Sequence, residues 1–74
     1  MPELIDRDNA KKTVARNVRR LLDEQGWTQA DLARAIGESE MRVSLMVRGI
    51  TQPTMQIVVN TASALGVTLD DLLS

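Results

Sequence analysis

An all-α domain of five helices is what this sequence predicts, and three observations predict it. Apolar residues recur at spacings of three and four, the period of a helix face, in every segment long enough to show a period. Each such segment opens on a residue able to cap a helix and closes on glycine, or on a glycine followed by proline. No stretch alternates apolar and polar residues as a half-buried strand does.

Taken in order, residues 1–8 (MPELIDRD) mix proline, acids and two apolar residues without a period. They read as a flexible arm preceding a domain that occupies residues 9–74. Asp8 or Asn9 can cap the first helix, expected over residues 10–25, because either side chain accepts from an orphan amide. Val14, Val18, Leu21 and Leu22 line its inner stripe, and Arg16, Arg19 and Arg20 fall largely off it. Gly26 ends this helix. Trp27, the one aromatic residue, follows and reads as a core anchor; as a base-stacking platform it lacks aromatic companions.

Thr28 opens the second helix in a capping box with Asp31, and Leu32, Ala33 and Ile36 face inward before Gly37 turns the chain. Ser39 caps the third helix, which runs to about Val47 with Val43, Met46 and Val47 inward. Glu40, Met41, Arg42, Ser44 and Leu45 are left on or near the outer face. Gly49 ends that helix and Pro53 closes the loop after it. Thr54 caps the fourth helix, whose apolar residues are Met55, Ile57, Val58, Val59, Ala62 and Leu65, and Gly66 ends it. Thr68 and Asp71 form a second capping box for a short fifth helix through Leu69, Leu72 and Leu73.

Composition narrows the chemistry. Seventy-four residues make one domain, which buries only about 60% of the surface its unfolded chain exposes. The chain has no cysteine and no histidine, which removes disulfides, thiolate metal sites and the commonest general base. With no glycine-rich phosphate loop and no carboxylate pair on a shared apolar face, no catalytic residue, metal site or cofactor is expected, and the protein is not read as an enzyme. No apolar run approaches the roughly 20 residues of a membrane span and no secretory signal is evident. A soluble, cytoplasmic protein with no membrane partner is therefore the expectation.

The net charge of −1 counts against a strongly basic, sequence-indifferent binder of nucleic acid. Its distribution is uneven, however. Between Asn9 and Leu22 lie Lys11, Lys12, Arg16, Arg19 and Arg20 and no acid, while acids gather at Glu3, Asp6 and Asp8 and again at Asp70 and Asp71. A polyanion feels the local field within about 10 Å rather than the total charge. The cationic run also reads as the solvated face of an amphipathic helix.

Short helix, glycine turn, short helix, as between Thr28 and Gly49, is the pattern of a DNA-reading helix-turn-helix. The segments TQADLARAIG, ES, EMRVSLMVRG and QPTMQIVVNTASALGVTLDDLL together resemble the lambda-repressor-like helix-turn-helix family, of the Cro and XRE type. The resemblance runs from about Val14 to Leu73. It rests on the joint spacing of Gln29, Leu32-Ala33, Gly37, Ser39, Gly49, Pro53-Thr54 and Ala64-Leu65-Gly66-Val67 before Leu69-Asp70-Asp71-Leu72.

That resemblance implies a five-helix lambda-repressor-like bundle of bacterial or phage origin, binding double-stranded operator DNA as a homodimer. The second and third helices form the reading unit, with the third in the major groove. It places base reading on Glu40, Met41, Arg42, Ser44 and Leu45. Arg42 can fork onto guanine, Glu40 can accept from a cytosine amino group, and Met41 and Leu45 suit thymine methyls or the surface of another protein. It places phosphate contacts on Thr28 and Gln29 at a helix N-terminus, and on Arg48, Thr51 and Gln52 after the third helix, aided by the backbone of Gly49 to Gln52. Arg16, Arg19 and Arg20 are weaker candidates.

Val67, Leu69, Leu72 and Leu73 are candidates for the dimer interface, Val67, Leu72 and Leu73 foremost, while Leu69 and Leu72 are also expected in the monomer core. The chain stops at Ser74, at the edge of the domain, which suits a fragment of a longer repressor whose remainder dimerises. Two departures from the family pattern stand out. Many members carry an arginine and a glutamate that can pair where this chain has Leu22 and Val47, and Glu38 and Glu40 put two acids at the reading end. The expected function is a sequence-specific transcriptional repressor on a palindromic site. The alternative is an antitoxin-like module with a protein partner, a toxin or an antirepressor.

Overall fold

The computed structural model describes residues 7–74, which form α1 (Arg7–Gln25), α2 (Gln29–Ile36), α3 (Glu40–Val47), α4 (Met55–Leu65) and α5 (Leu69–Leu73). The last four begin where a hydroxyl can bind an orphan amide. Thr28, Ser39, Thr54 and Thr68 accept from the amides of Asp31, Arg42, Ile57 and Asp71 respectively. Both expected capping boxes are complete: the Asp31 carboxylate accepts from the Thr28 amide at 2.8 Å and that of Asp71 from the Thr68 amide at 2.9 Å.

The first helix departs from expectation. It begins at Arg7, so Asp8 and Asn9 lie in its first turn rather than ahead of it. Once a helical nucleus exists, each added residue gains a hydrogen bond, so a helix extends through polar residues with no apolar stripe to announce it. The rest of the expected arm, residues 1–6, lies outside the described residues.

Helix α1 packs on α3 and α5, α2 packs on α3 and α4, and α4 packs on α5. The core between them gathers Val14, Val18, Leu21 and Leu22 of α1 with Leu32 and Ala33, then Val43, Met46 and Val47, then Ile57, Val58, Ala62 and Leu65, and finally Leu72. Trp27 is half-buried and lies against this core rather than inside it. Of the two leucines expected to complete the core from α5, Leu72 is fully buried and Leu69 stays 36% exposed. Leu72 is thereby withdrawn from any dimer surface, since a side chain with no exposed area has none to offer a second copy.

Helix α1 also ties down the C-terminal ends of three other helices. Those ends carry carbonyls with no partner inside their own helix. Asn17, itself buried, donates to the Leu72 carbonyl at 2.9 Å. Arg19 donates to the Val47 carbonyl at 2.6 Å, where a cation also complements the helix dipole. Gln25 donates to the Leu65 carbonyl at 2.8 Å. Among the described residues, every buried side-chain nitrogen or oxygen has a partner, as buried polar groups require.

Candidate nucleic-acid interface

The turn between α2 and α3 begins the site. Gly37 takes a left-handed φ of 70°, and the amides of Gly37 and Glu38 both return to the Ala33 carbonyl. This closes α2 and turns the chain sharply enough for Ser39 to start α3 two residues later. Val43, Met46 and Val47 then fix which way α3 faces, because all three are buried. At about 100° per residue, the opposite side of the helix carries Met41, Leu45 and Arg48, flanked by Glu40 and Ser44 on one side and Arg42 on the other.

The side chains bear this out in degree. Met41 is 70% exposed. Glu40, Arg42 and Arg48 are exposed, and Ser44 and Leu45 are half-buried. Arg42 does not hang free: its Nη1 lies 3.3 Å from Oε1 of Glu38.

At the start of α2, Thr28 is exposed and Gln29 half-buried. Asp31 already claims the Thr28 amide, so the donors left to an incoming anion are the amides of Gln29 and Ala30 and the Gln29 side chain. The same hydrogen bond, then the Thr28 hydroxyl and to a smaller extent the Arg34 guanidinium, hold the Asp31 carboxyl below the usual aspartate range. The carboxylate therefore stays charged beside the N-terminal end of α2 and offsets part of the positive potential of the free amides there.

The loop after α3 folds back on it. Gly49 donates to the Met46 carbonyl, and Ile50 and Thr51 both donate to that of Leu45. Gly49 sits at φ 72°, with an added Cβ meeting that of Ala15 at 3.5 Å, so the loop is seated on α1. These bonds correct one expectation: the amides of Gly49, Ile50 and Thr51 are occupied and do not reach out. What the loop offers an anion is the side chains of Arg48, Thr51 and Gln52, all exposed, with the Gln52 amide.

A groove of about 280 Å³ runs between α3 and this loop. Arg42, Leu45, Thr51 and Gln52 line it together with Glu38, over a floor that includes Ile36, Val43 and Ile57. The fold thus brings base-reading and phosphate candidates to one groove. Thr28, Gln29, Glu40, Met41, Ser44 and Arg48 lie outside its lining. Two residues that organise the site escaped the sequence reading: Arg19, which holds the end of α3, and Glu38 as the partner of Arg42. No residue type marks a backbone carbonyl as a partner, so Arg19 left no signal. Glu38 did, through its four-residue spacing from Arg42.

Of the expected dimer residues, Leu73 is 46% exposed and Val67 half-buried. Among the described residues, no helix is long and apolar enough to cross a membrane.

Comparison with known proteins agrees with this geometry. No curated protein matches the chain. A solved structure of a hypothetical transcription factor, NHTF, from Neisseria is similar over the whole of this chain and 85% of its own, with 31% identity and a TM-score of 0.85. The model of a helix-turn-helix family, HTH_3, matches residues 18–72, spanning all of α2 to α4, the C-terminal part of α1 and most of α5. With its cap-turn-cap unit and outward α3, the chain belongs to the lambda-repressor-like, Cro/C1-type helix-turn-helix family of DNA-binding transcription regulators.

Proposed function

We propose that this regulator is a repressor that binds a palindromic operator as a homodimer, with α3 in the major groove. The observation that carries the reading is the contrast between the two sides of α3. One side is locked into the core by Val43, Met46 and Val47, while the other presents Glu40, Met41, Arg42, Ser44 and Leu45 on a rigid support. A helix held this way can enter a groove about 12 Å wide without rearranging.

Arg42 supplies the strongest hydrogen-bonding contact, a fork onto guanine. Met41 and Leu45 favour thymine methyls. Gln29 with the α2 amides, and Arg48, Thr51 and Gln52, hold the backbone on either side. The dimer surface is Leu73 with Leu69 and Val67. Leu69 and Leu73 lie one helical turn apart on α5 and remain exposed in the single chain. A dimer also supplies the specificity that a lone half-site of this size lacks.

Selection of bound duplexes from random DNA tests the reading. The expected product is an inverted repeat whose half-sites are about 10 base pairs apart centre to centre, or a multiple of that. Leu73→Glu should convert the protein to monomer in sedimentation and reduce binding to the full repeat much more than to a half-site. Stable binding to a protein partner with no enriched DNA would instead support the antitoxin-like alternative, which the exposed Met41 also suits.

A further inference from the structure

We propose that Glu38 is a positioning residue for sequence reading: it sets Arg42 in the conformation that reads guanine, and so determines specificity without touching a base. The inference rests on Arg42 being a base reader.

Three observations carry it. First, the Glu38 backbone is fixed before any partner arrives, because its amide returns to the Ala33 carbonyl at 3.0 Å in the turn that Gly37 makes. Second, the Glu38 side chain is 27% exposed whereas that of Arg42 is 62% exposed, so the acid is the seated partner and the arginine the one reaching outward. Third, the contact runs from a single nitrogen, Nη1, to Oε1 at 3.3 Å. A guanidinium has five N–H donors in a rigid fork, so a one-nitrogen contact leaves donors on Nη2 and Nε to meet O6 and N7 of a guanine.

Arg42 is also anchored at its root, since its amide donates to the Ser39 hydroxyl at 3.1 Å. With the backbone fixed by the cap and the tip in contact with Glu38, the side chain samples fewer conformations before binding. Ordering a long side chain at an interface otherwise weakens binding by about two- to tenfold. Part of that cost is met within the free protein. The carboxylate carries a penalty as well, because it lies near the phosphates and repels all DNA alike. Glu38 thus trades general affinity for discrimination.

This trade can be measured on the duplex enriched from random DNA by the natural protein, together with single-base-pair variants of it. Discrimination is the ratio of affinities between the enriched duplex and the variant that replaces the guanine read by Arg42. Glu38→Ala removes the acceptor, whereas Glu38→Gln removes the charge but keeps an oxygen that can accept from Arg42. The expected result is a rise in affinity for all duplexes with both variants, a fall in discrimination of about two- to tenfold with alanine, and discrimination largely retained with glutamine. Equal discrimination in all three proteins overturns the positioning role and leaves Glu38 as a bystander charge, as does an equal fall with alanine and glutamine.

Arg42→Ala separates this from failure of the parent reading. If it lowers affinity equally on every duplex, Arg42 is a phosphate contact and both readings fall. If it abolishes discrimination at one base pair, Glu38→Ala in that background should have no further effect on discrimination. Absence of any enriched sequence overturns base reading, and the positioning role with it.

Discussion

Helices α3 and α5 are both short, both capped by a hydroxyl and both tied to α1 through a C-terminal carbonyl, yet they are held very differently. Helix α3 sinks three side chains into the core, Val43, Met46 and Val47, and packs on both α1 and α2. Helix α5 sinks one, Leu72, and packs on α1 and α4. A helix fixed by three anchors keeps its orientation whatever its outer face carries. That is how α3 tolerates a largely exposed Met41 beside two exposed charged residues. A helix fixed by one anchor leaves its other apolar residues, Leu69 and Leu73, without cover in the single chain. The same fold thus anchors the outer face of α3 firmly and leaves two leucines exposed on α5.

The largest effect should come from removing the single anchor. Leu72→Ala takes away a fully buried side chain and should cost about 2–5 kcal/mol in urea unfolding. Amide exchange should show α5 opening before α3. A cost below about 1 kcal/mol would mean that α5 does not share the core, and the contrast with α3 would lose its basis.

The two carbonyl ties give a smaller and more discriminating comparison. Asn17 and the Leu72 carbonyl are buried together, so Asn17→Ala leaves an acceptor that water does not reach easily. The expected loss is about 1–3 kcal/mol. Arg19 is largely exposed although its bond to the Val47 carbonyl is short. Water can replace it, and Arg19→Ala should cost about 1 kcal/mol in stability. Its greater effect should fall on DNA affinity, because the loop that carries Arg48, Thr51 and Gln52 starts from the same end of α3. Chemical denaturation and binding titrations on the two variants check this. Equal effects on affinity would show that α1 stiffens the whole bundle rather than the reading end.

These ties also mark where sequence reasoning stopped. The four caps at Thr28, Ser39, Thr54 and Thr68 were legible because each puts a hydroxyl three residues ahead of the amide it serves, which is a local pattern. The inner faces of α2 and α3 were legible because three apolar residues fix a phase, whereas the apolar residues of α4 do not share one face: Met55 and Val59 are exposed and Thr61 is buried in their place. Helix α5 has too few turns to fix a phase: Leu69, Leu72 and Leu73 all suit an inward face, and only packing on α1 selects Leu72. The start of α1 was misplaced because helix extends through polar residues with no stripe. Asn17 shares the inner stripe with Val14, Val18 and Leu21, and that placement was a missed signal. Arg19 and Gln25 gave none, because their partners are backbone atoms 28 and 40 residues away. At the site, the outer face of α3 was readable from its buried face. That the loop amides were already spent on the Met46 and Leu45 carbonyls was not.

The smallest expected effect compares the two capping boxes, one on α2 and one on α5. Asp31 and Asp71 are both held below the usual aspartate range, foremost by the amides of Thr28 and Thr68, then by the hydroxyls of those threonines, with Arg34 and Arg20 adding to the effect. A lowered folded-state value means that the ionised form binds its cap more tightly than the protonated form does. The stabilisation is therefore fully present above the unfolded value near 4, and it is lost as pH falls through the lowered folded values. Thermal melts taken from about pH 5 down to about pH 3 should show a falling midpoint. Asp31→Asn and Asp71→Asn should each flatten that fall while lowering the midpoint at neutral pH. Both carboxylates are solvent-accessible, so the shifts should be modest and should shrink with added salt. Because α5 rests on one buried leucine and α2 on Leu32 and Ala33 together, Asp71→Asn should lower the midpoint more. A larger effect from Asp31→Asn would show that the cap of α2, not the thin anchoring of α5, is the weaker point of the fold.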